Sequence, residues 1–375
     1  MPRDAMHIVL DCRAVHRTMG GIGRAAYNLA RCLGHRRRGH RVTAIVGNQL
    51  PEGISWHGLN VVAVKAAMID EPFEQFHLPG VVDLLKADIY LNTTFSIPAV
   101  KTSKHQVAII HDVVFEENPE WVEPRLCNYL RRWSRFSAAR ADHVITVSDH
   151  AKSRIESVYG IAPARVTRIY NGIDRTQFER PDENAIASVL ARHRLEPPYV
   201  FYLGTLEPKK GTLELVSAFA RLVRSGFRGR LALAGGLGAG HLDLQAMIAA
   251  SGVADRVALL GYIDESDKKA LLVGSALFVY PSHYEGFGLP PLEAMALGVP
   301  TLVSNATSLP EVVGEAALTF DVRNVEAFSG ALSQGLTDKS FRHRAVAEGP
   351  IRARRFTWDE AADQLLELCE RLEAA

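Results

Sequence analysis

The sequence predicts an α/β protein of two doubly wound domains, similar in size, that face each other across a cleft. Three observations predict it. Short apolar runs alternate with stretches of helical spacing, the pattern of a largely parallel sheet covered by helices. The pattern occurs twice, once in each half. The 375 residues, 47% hydrophobic and 23% charged, suffice for two packed cores and are too apolar for long disorder.

In the first half, His7–Asp11 reads as a strand ending in a polar loop. A helix runs from Gly23, where Ala26, Leu29, Ala30 and Leu33 recur every three or four residues, and stops near Gly39. Residues 42–46, 88–91, 107–110 and 143–147 read as further buried strands. In the second half the strands are Tyr199–Leu203, Arg230–Ala234, 257–260, Leu277–Tyr280 and 300–303, with an amphipathic helix over 213–222. The polar, proline-containing stretch 179–198 separates the halves. The expected domains are 1–180 and 181–355. A final helix, 356–375, has Thr357 as its cap and is expected to pack back on the first domain.

Lys plus Arg number 43 and Asp plus Glu 42, a net charge of +1. No basic excess supports a nucleic-acid partner. The four cysteines, Cys12, Cys32, Cys127 and Cys369, form no C-x-x-C pair and no zinc spacing. A reduced, cytoplasmic protein is expected. The charged N-terminus with its short apolar run does not read as a secretory leader, and the longest apolar stretch, 270–281, is too short to span a bilayer. Arginines cluster at Arg36, Arg37, Arg38 and Arg41, at Arg131, Arg132 and Arg135, and at Arg352, Arg354 and Arg355. They are either solvated helix ends or a patch resting on anionic lipid, so peripheral contact with the inner membrane face stays open.

The richest chemistry lies in 280–300, which follows a strand and opens a helix. Gly286 and Gly288 let a ligand approach the backbone, Pro291 suits a first helical turn, and free N–H groups at a helix start favour phosphate. Glu285, in the loop, can accept hydrogen bonds from hydroxyls. Glu293, one turn into the helix, either serves the ligand or only the helix dipole. The turn 204–211 carries Lys209 and Lys210, which suit a diphosphate or are a solvated surface pair. Gly20, Gly21 and Gly23 precede the first helix and superficially match a dinucleotide fingerprint. Residues 12–19 separate them from the first strand, and no acid for a ribose follows the second. Tight helix packing or a phosphate-facing loop fits better. The glycines of 235–240 read as a mobile turn. His111, before Asp112 at a strand's carboxyl end, is either a ligand-facing imidazole or bonded to backbone. Thr146 and Ser148 end another strand and either join a site or cap the helix near Asp149.

Together these segments resemble the retaining glycosyltransferases of family 4, which have the GT-B fold of two Rossmann-like domains. Glu285 and Glu293, within EGFGLPPLE, match that family's E-x7-E signature. The segments 300–304, 308–311, 204–211, 171–174, His111 with Asp112, and Gly20 with Gly21 fit in the expected order. The resemblance implies retaining transfer of a hexose from a nucleotide diphosphate sugar to a glycan or lipid-linked acceptor; no D-x-D pair sits in a position suggesting a metal site, so metal-independent, cofactor-free transfer is expected. Mannose from GDP-mannose is favoured, in surface polysaccharide or glycolipid biosynthesis. It implies that Glu285 holds sugar hydroxyls, Lys210 neutralises the diphosphate and His111 faces the transferred sugar. The backbone of Phe287, Gly288 and Leu289 would approach the donor, and Gly20 and Gly21 its phosphate. Glu293 would bind the ribose, and the base would meet backbone near Tyr262. Where the family commonly has Arg, this chain has Thr205, and Lys209 is the available substitute. The competing readings are a nucleotide-sugar epimerase or dehydrogenase, which would need a better fingerprint, and a non-catalytic nucleotide-sugar-binding protein. Oligomeric state is not legible.

Overall fold

A computed structural model of the chain describes residues 5–16, 19–48, 54–56 and 58–374. The chain divides into two units, Met1–Gly172 with Thr357–Ala375, and Ile173–Phe356.

The first unit holds seven parallel strands: β1 (His7–Asp11), β2 (Arg41–Val46), β3 (Asn60–Ala63), β4 (Ile89–Asn92), β5 (His105–Ile109), β6 (His143–Thr146) and β7 (Val166–Arg168). Their spatial order is β3-β2-β1-β4-β5-β6-β7, so the winding reverses between β1 and β4. The inner strands are buried along nearly their whole length because helices cover both faces. Val9, Ile45, Tyr90, Ala108 and Val144 share one buried cluster. The edge strands β3 and β7 have no counterpart in the sequence reading. They have four and three residues, and β3 is largely exposed, so neither carries a buried run.

The last helix, Trp358–Ala374, packs on the first, Gly21–Arg36. Thr357 caps it, its Oγ1 accepting from the Glu360 N–H at 3.2 Å. Its acidic side takes up arginines that a lipid patch would need. Arg36 pairs with Asp363, and Arg38 reaches Asp363 at 3.3 Å and Glu370 at 3.7 Å. Arg135 is likewise held by Glu116 at 2.6 Å. Ser148 is a cap as well, accepting from the Ala151 N–H at 3.0 Å at the start of helix Asp149–Tyr159.

Among the described residues, His7, His40, His111 and His143 of this unit are buried. Burial lowers the pKa of His7 and His111 and brings that of His143 down to about 4. A group with a lowered folded pKa binds fewer protons folded than unfolded, so its contribution is complete above about pH 6.5 and is lost as pH falls toward the folded pKa. The melting temperature should therefore fall between pH 6.5 and 4. Replacing His143 with Asn should flatten that slope; an unchanged slope would contradict the assignment.

The second unit holds six parallel strands: β8 (Tyr199–Leu203), β9 (Arg230–Ala234), β10 (Val257–Gly261), β11 (Leu277–Tyr280), β12 (Thr301–Ser304) and β13 (Leu318–Phe320). Their order is β10-β9-β8-β11-β12-β13, and the winding reverses between β8 and β11. In such sheets a ligand sits outside the carboxyl ends of the strands where the order reverses. The two loops at that point are 204–211 and 281–288.

Candidate active site

Both loops at the reversal in the second unit carry a charge. Lys210 closes a short turn, Pro208–Lys210, just before helix Thr212–Arg224. Glu285 stands in the loop between β11 and helix Leu289–Ala296. Their side chains meet, with Lys210 Nζ 2.5 Å from Glu285 Oε1 and the two side chains 15% and 13% exposed. Burial alone would raise the Glu285 pKa; the Lys210 charge and hydrogen bonds from Lys210, Tyr280 and Ser282 more than offset it and hold the carboxyl below its ordinary range. Burial alone would lower Lys210, and Glu285 reverses that, leaving its pKa raised. The pair is thus a charged couple kept ionised by its own members.

The backbone around the pair is fixed from three sides. Gly211 has φ +68, and a Cβ there would lie 2.0 Å from the Pro281 carbonyl oxygen, so only glycine lets the two loops touch. The His283 N–H donates to the Lys209 carbonyl at 2.9 Å. From below, Thr307 Oγ1 accepts from the Glu285 N–H at 3.0 Å. The Ser308 hydroxyl donates to the carbonyls of Glu285 and Phe287 at 2.9 and 3.0 Å. The segment 300–311 thus acts as the bracket of the Glu285 loop.

In the segment 235–240, expected as a mobile turn, Gly235, Gly238 and Gly240 are packing positions, whereas a Cβ on Gly236 would meet nothing within 4 Å. A Cβ on Gly235 would lie 1.9 Å from the Gly204 carbonyl oxygen, and one on Gly238 2.8 Å from Thr205 Cγ2. They let this turn press against the Lys210 loop. Thr205 is exposed, and its carbonyl accepts from the buried Tyr202 hydroxyl at 2.9 Å. Lys209 pairs with Glu207 at 3.3 Å, so its charge is partly spent locally.

Helix Leu289–Ala296 begins Leu-Pro-Pro. Two of its first three residues lack an N–H, so it offers fewer anion-binding amides than a helix start ordinarily does. Phe287 is buried and packs edge-on against Phe356, 5.7 Å between ring centres. Gly288 has φ +111, and a Cβ there would meet Leu309 at 2.6 Å. Tyr262, in the turn after β10, is 64% exposed. Glu293 is buried with Lys268, Nζ to Oε1 2.7 Å. The sequence reading missed Lys268, because Asp267-Lys268-Lys269 has the look of a solvated helix start.

In the first unit, Gly20 and Gly21 open helix Gly21–Arg36, and a Cβ on either would meet nothing within 4 Å. A Cβ on Gly23 would lie 2.5 Å from the Ala14 carbonyl oxygen. The cluster therefore divides: Gly23 serves helix packing, while Gly20 and Gly21 leave open approach. His111 follows β5 and is buried, and its Nε2–H donates to the Thr93 carbonyl at 2.9 Å. With its pKa lowered by burial the imidazole is neutral near pH 7, and that tautomer leaves Nδ1 as an acceptor. Of the two alternatives for His111, the bond to backbone is thus present. The ring lines an apolar pocket with Ala25, Thr93, Ile145, Val147 and Trp358.

Beside it, at the reversal of the first sheet, lies a buried polar network that the sequence reading also missed. Arg13 donates from Nη2 to Asp11 at 2.7 Å and to Glu74 at 3.2 Å, and the Tyr90 hydroxyl donates to Asp11 at 3.1 Å. The Thr93 hydroxyl donates to the Asp11 carbonyl at 2.6 Å, which ties the network to the residue that holds His111. Among the described residues, no three His, Cys, Asp or Glu side chains are placed to hold a metal ion.

Comparison with known proteins gives two family matches. Residues 190–352 match the model described as glycosyl transferases group 1, and residues 19–177 match that of glycosyltransferase family 4. A relative from Escherichia coli, O-antigen chain mannosyltransferase B, is 32% identical over 280 residues, 74% of this chain and 73% of that protein. A Mycobacterium tuberculosis protein, GDP-mannose-dependent alpha-(1-6)-phosphatidylinositol monomannoside mannosyltransferase, is 32% identical over 266 residues, 65% of this chain and 68% of that one. Among solved structures, sucrose-phosphate synthase from Thermosynechococcus elongatus superposes with a TM-score of 0.79 at 20% identity, covering 98% of this chain and 99% of that one.

Proposed function

The chain belongs to the family 4 glycosyltransferases and has their two-domain GT-B fold; on that premise we propose that it transfers mannose from GDP-mannose to a glycan or lipid-linked acceptor. Transfer retains the anomeric configuration and needs neither metal nor cofactor. The observation that carries the proposal is the Lys210–Glu285 pair at the reversal point of the second sheet. The names of the two mannosyltransferase relatives support the choice of sugar and base.

Each member of the site has a task in this reading. Departure of a diphosphate needs positive charge where the negative charge develops, and Lys210 supplies it ahead of the first turn of helix Thr212–Arg224. Glu285, ionised and held by three donors, accepts from the mannose hydroxyls and fixes the ring. Glu293 accepts from the ribose, and the turn with Tyr262 meets the base. In the first unit, Gly20 and Gly21 leave the backbone open to phosphate, and His111 Nδ1 accepts from a sugar hydroxyl. Retention follows from attack on the face the diphosphate leaves, with the departing phosphate taking the acceptor proton.

The reaction takes place in the cytoplasm. No described helix is long and apolar enough to cross a membrane. Phe76 and Leu84, 81% and 84% exposed, give the first unit apolar side chains suited to brief contact with a membrane that carries the acceptor.

The test is transfer from GDP-mannose to a mannosyl acceptor in excess EDTA, with the product read by proton NMR. An α-linked product formed at the same rate with and without EDTA is expected. A β-linked product would overturn retention, and activity that returns only with added magnesium would overturn metal independence.

A further inference from the structure

Lys268 is 2% exposed, and lysine is rarely buried unless paired. Its Nζ lies 2.7 Å from Glu293 Oε1 and also pairs with Glu265. Lys268 stands in the first turns of helix Glu265–Gly274, which follows the turn bearing Tyr262. Glu293 stands on the helix that follows the Glu285 loop. The ion pair therefore joins the two helices that follow these loops at the carboxyl edge of the second sheet. Stability does not account for it, since a buried pair is often no more stabilising than well-packed apolar side chains of the same volume. What an ammonium does here that a leucine would not is hold the Glu293 carboxylate in one orientation.

We infer that Lys268 is a positioning residue for the nucleotide: it aims the Glu293 carboxylate at the ribose hydroxyls and so sets the preference for ribose over 2′-deoxyribose. The inference rests on the proposal that Glu293 meets the ribose. It adds that the acid alone is insufficient. Glu293 can form a directed pair of hydrogen bonds to a sugar only if its rotamer is held, and Lys268 is the charged group that holds it. Removing the lysine frees the carboxylate to turn, and the penalty falls on recognition of the hydroxyl more than on the diphosphate.

The test is calorimetric binding of GDP and 2′-deoxy-GDP, and of UDP and 2′-deoxy-UDP, to the full chain and to Lys268→Met. The wild type should prefer the ribonucleotide by about tenfold or more, as expected for hydrogen bonds to a charged group. In Lys268→Met the ratio should fall to within about threefold, while the deoxynucleotide binds nearly as before. A folded variant that keeps the full ratio overturns the inference, because a merely structural lysine would weaken both nucleotides alike. Should Lys268→Met fail to fold, Lys268→Gln decides: it keeps volume and a donor but loses charge and reach. Its ratio should drop by at least about threefold, and an unchanged ratio overturns the inference. If the wild type binds neither GDP nor UDP, the donor site itself is misplaced and the proposed function fails with it.

Discussion

Glu285→Gln should lower kcat/KM for sugar transfer by roughly 10²–10³-fold, the scale seen when one preorganised polar contact to a reacting group is removed. Glutamine keeps the size and one acceptor but not the charge. The same change leaves Lys210 buried beside a neutral amide, so the variant should also lose stability, by up to about 3 kcal/mol. Lys210→Met should be as damaging, for the opposite reason: Glu285 is then a buried carboxylate without its cation. The double variant separates the two effects. Combined, the substitutions remove both charges, so the double variant should be more stable than Lys210→Met alone and no less active than either single variant. Additive losses in both activity and stability would mean that the two residues act independently, contrary to their 2.5 Å contact.

The second large effect falls on a residue without a side chain. Gly211→Ala puts a methyl 2.0 Å from the Pro281 carbonyl at a backbone angle of φ +68. The left-handed conformation costs a non-glycine residue roughly 1–2 kcal/mol and overpacking a further 1–3, so a loss of about 2–5 kcal/mol in urea unfolding is expected. The loops bearing Lys210 and Glu285 can relieve the clash only by parting, so activity should fall with stability. Gly226→Ala is the control. Gly226 has φ +104, but a Cβ there meets nothing within 4 Å. It should cost only the backbone part, about 1–2 kcal/mol, and leave kcat unchanged. Equal losses of activity in the two variants would show that loop contact is not what Gly211 provides.

Much of this was legible in the sequence because it is local. The strands Tyr199–Leu203, Arg230–Ala234 and Leu277–Tyr280 are continuous apolar runs and stand where the pattern puts them. β3, β7 and β13 are short edge strands whose pairing, not their composition, makes them strands. The bracket formed by Thr307 and Ser308 looks like an ordinary loop until its hydroxyls are found under Glu285. Lys268 and Arg13 carry no sign of burial in the sequence, because Glu293 and Glu74, which complete their pairing, lie 25 and 61 residues away. Gly235 and Gly238 show the same limit in reverse. A glycine run signals freedom along the chain, whereas here it answers to crowding from a loop some thirty residues away in sequence. Thr205 is a plain departure from the family pattern, and the nearby Lys209 is already engaged by Glu207. Under the proposed function, the burden of charge at the diphosphate thus falls on Lys210.

The measurement that bears most directly on the central claim is a donor titration of the purified chain and of Glu285→Gln. GDP-mannose, UDP-glucose, UDP-N-acetylglucosamine and dTDP-rhamnose would be compared by thermal stabilisation and by release of nucleoside diphosphate. Binding at a hundred times Kd stabilises the folded state by about 2.7 kcal/mol. GDP-mannose should raise the melting temperature of the wild type and be slowly hydrolysed, with both effects lost in Glu285→Gln. If no nucleotide sugar stabilises the wild type, or if Glu285→Gln binds and turns over GDP-mannose as the wild type does, the Lys210–Glu285 pair is not the donor site.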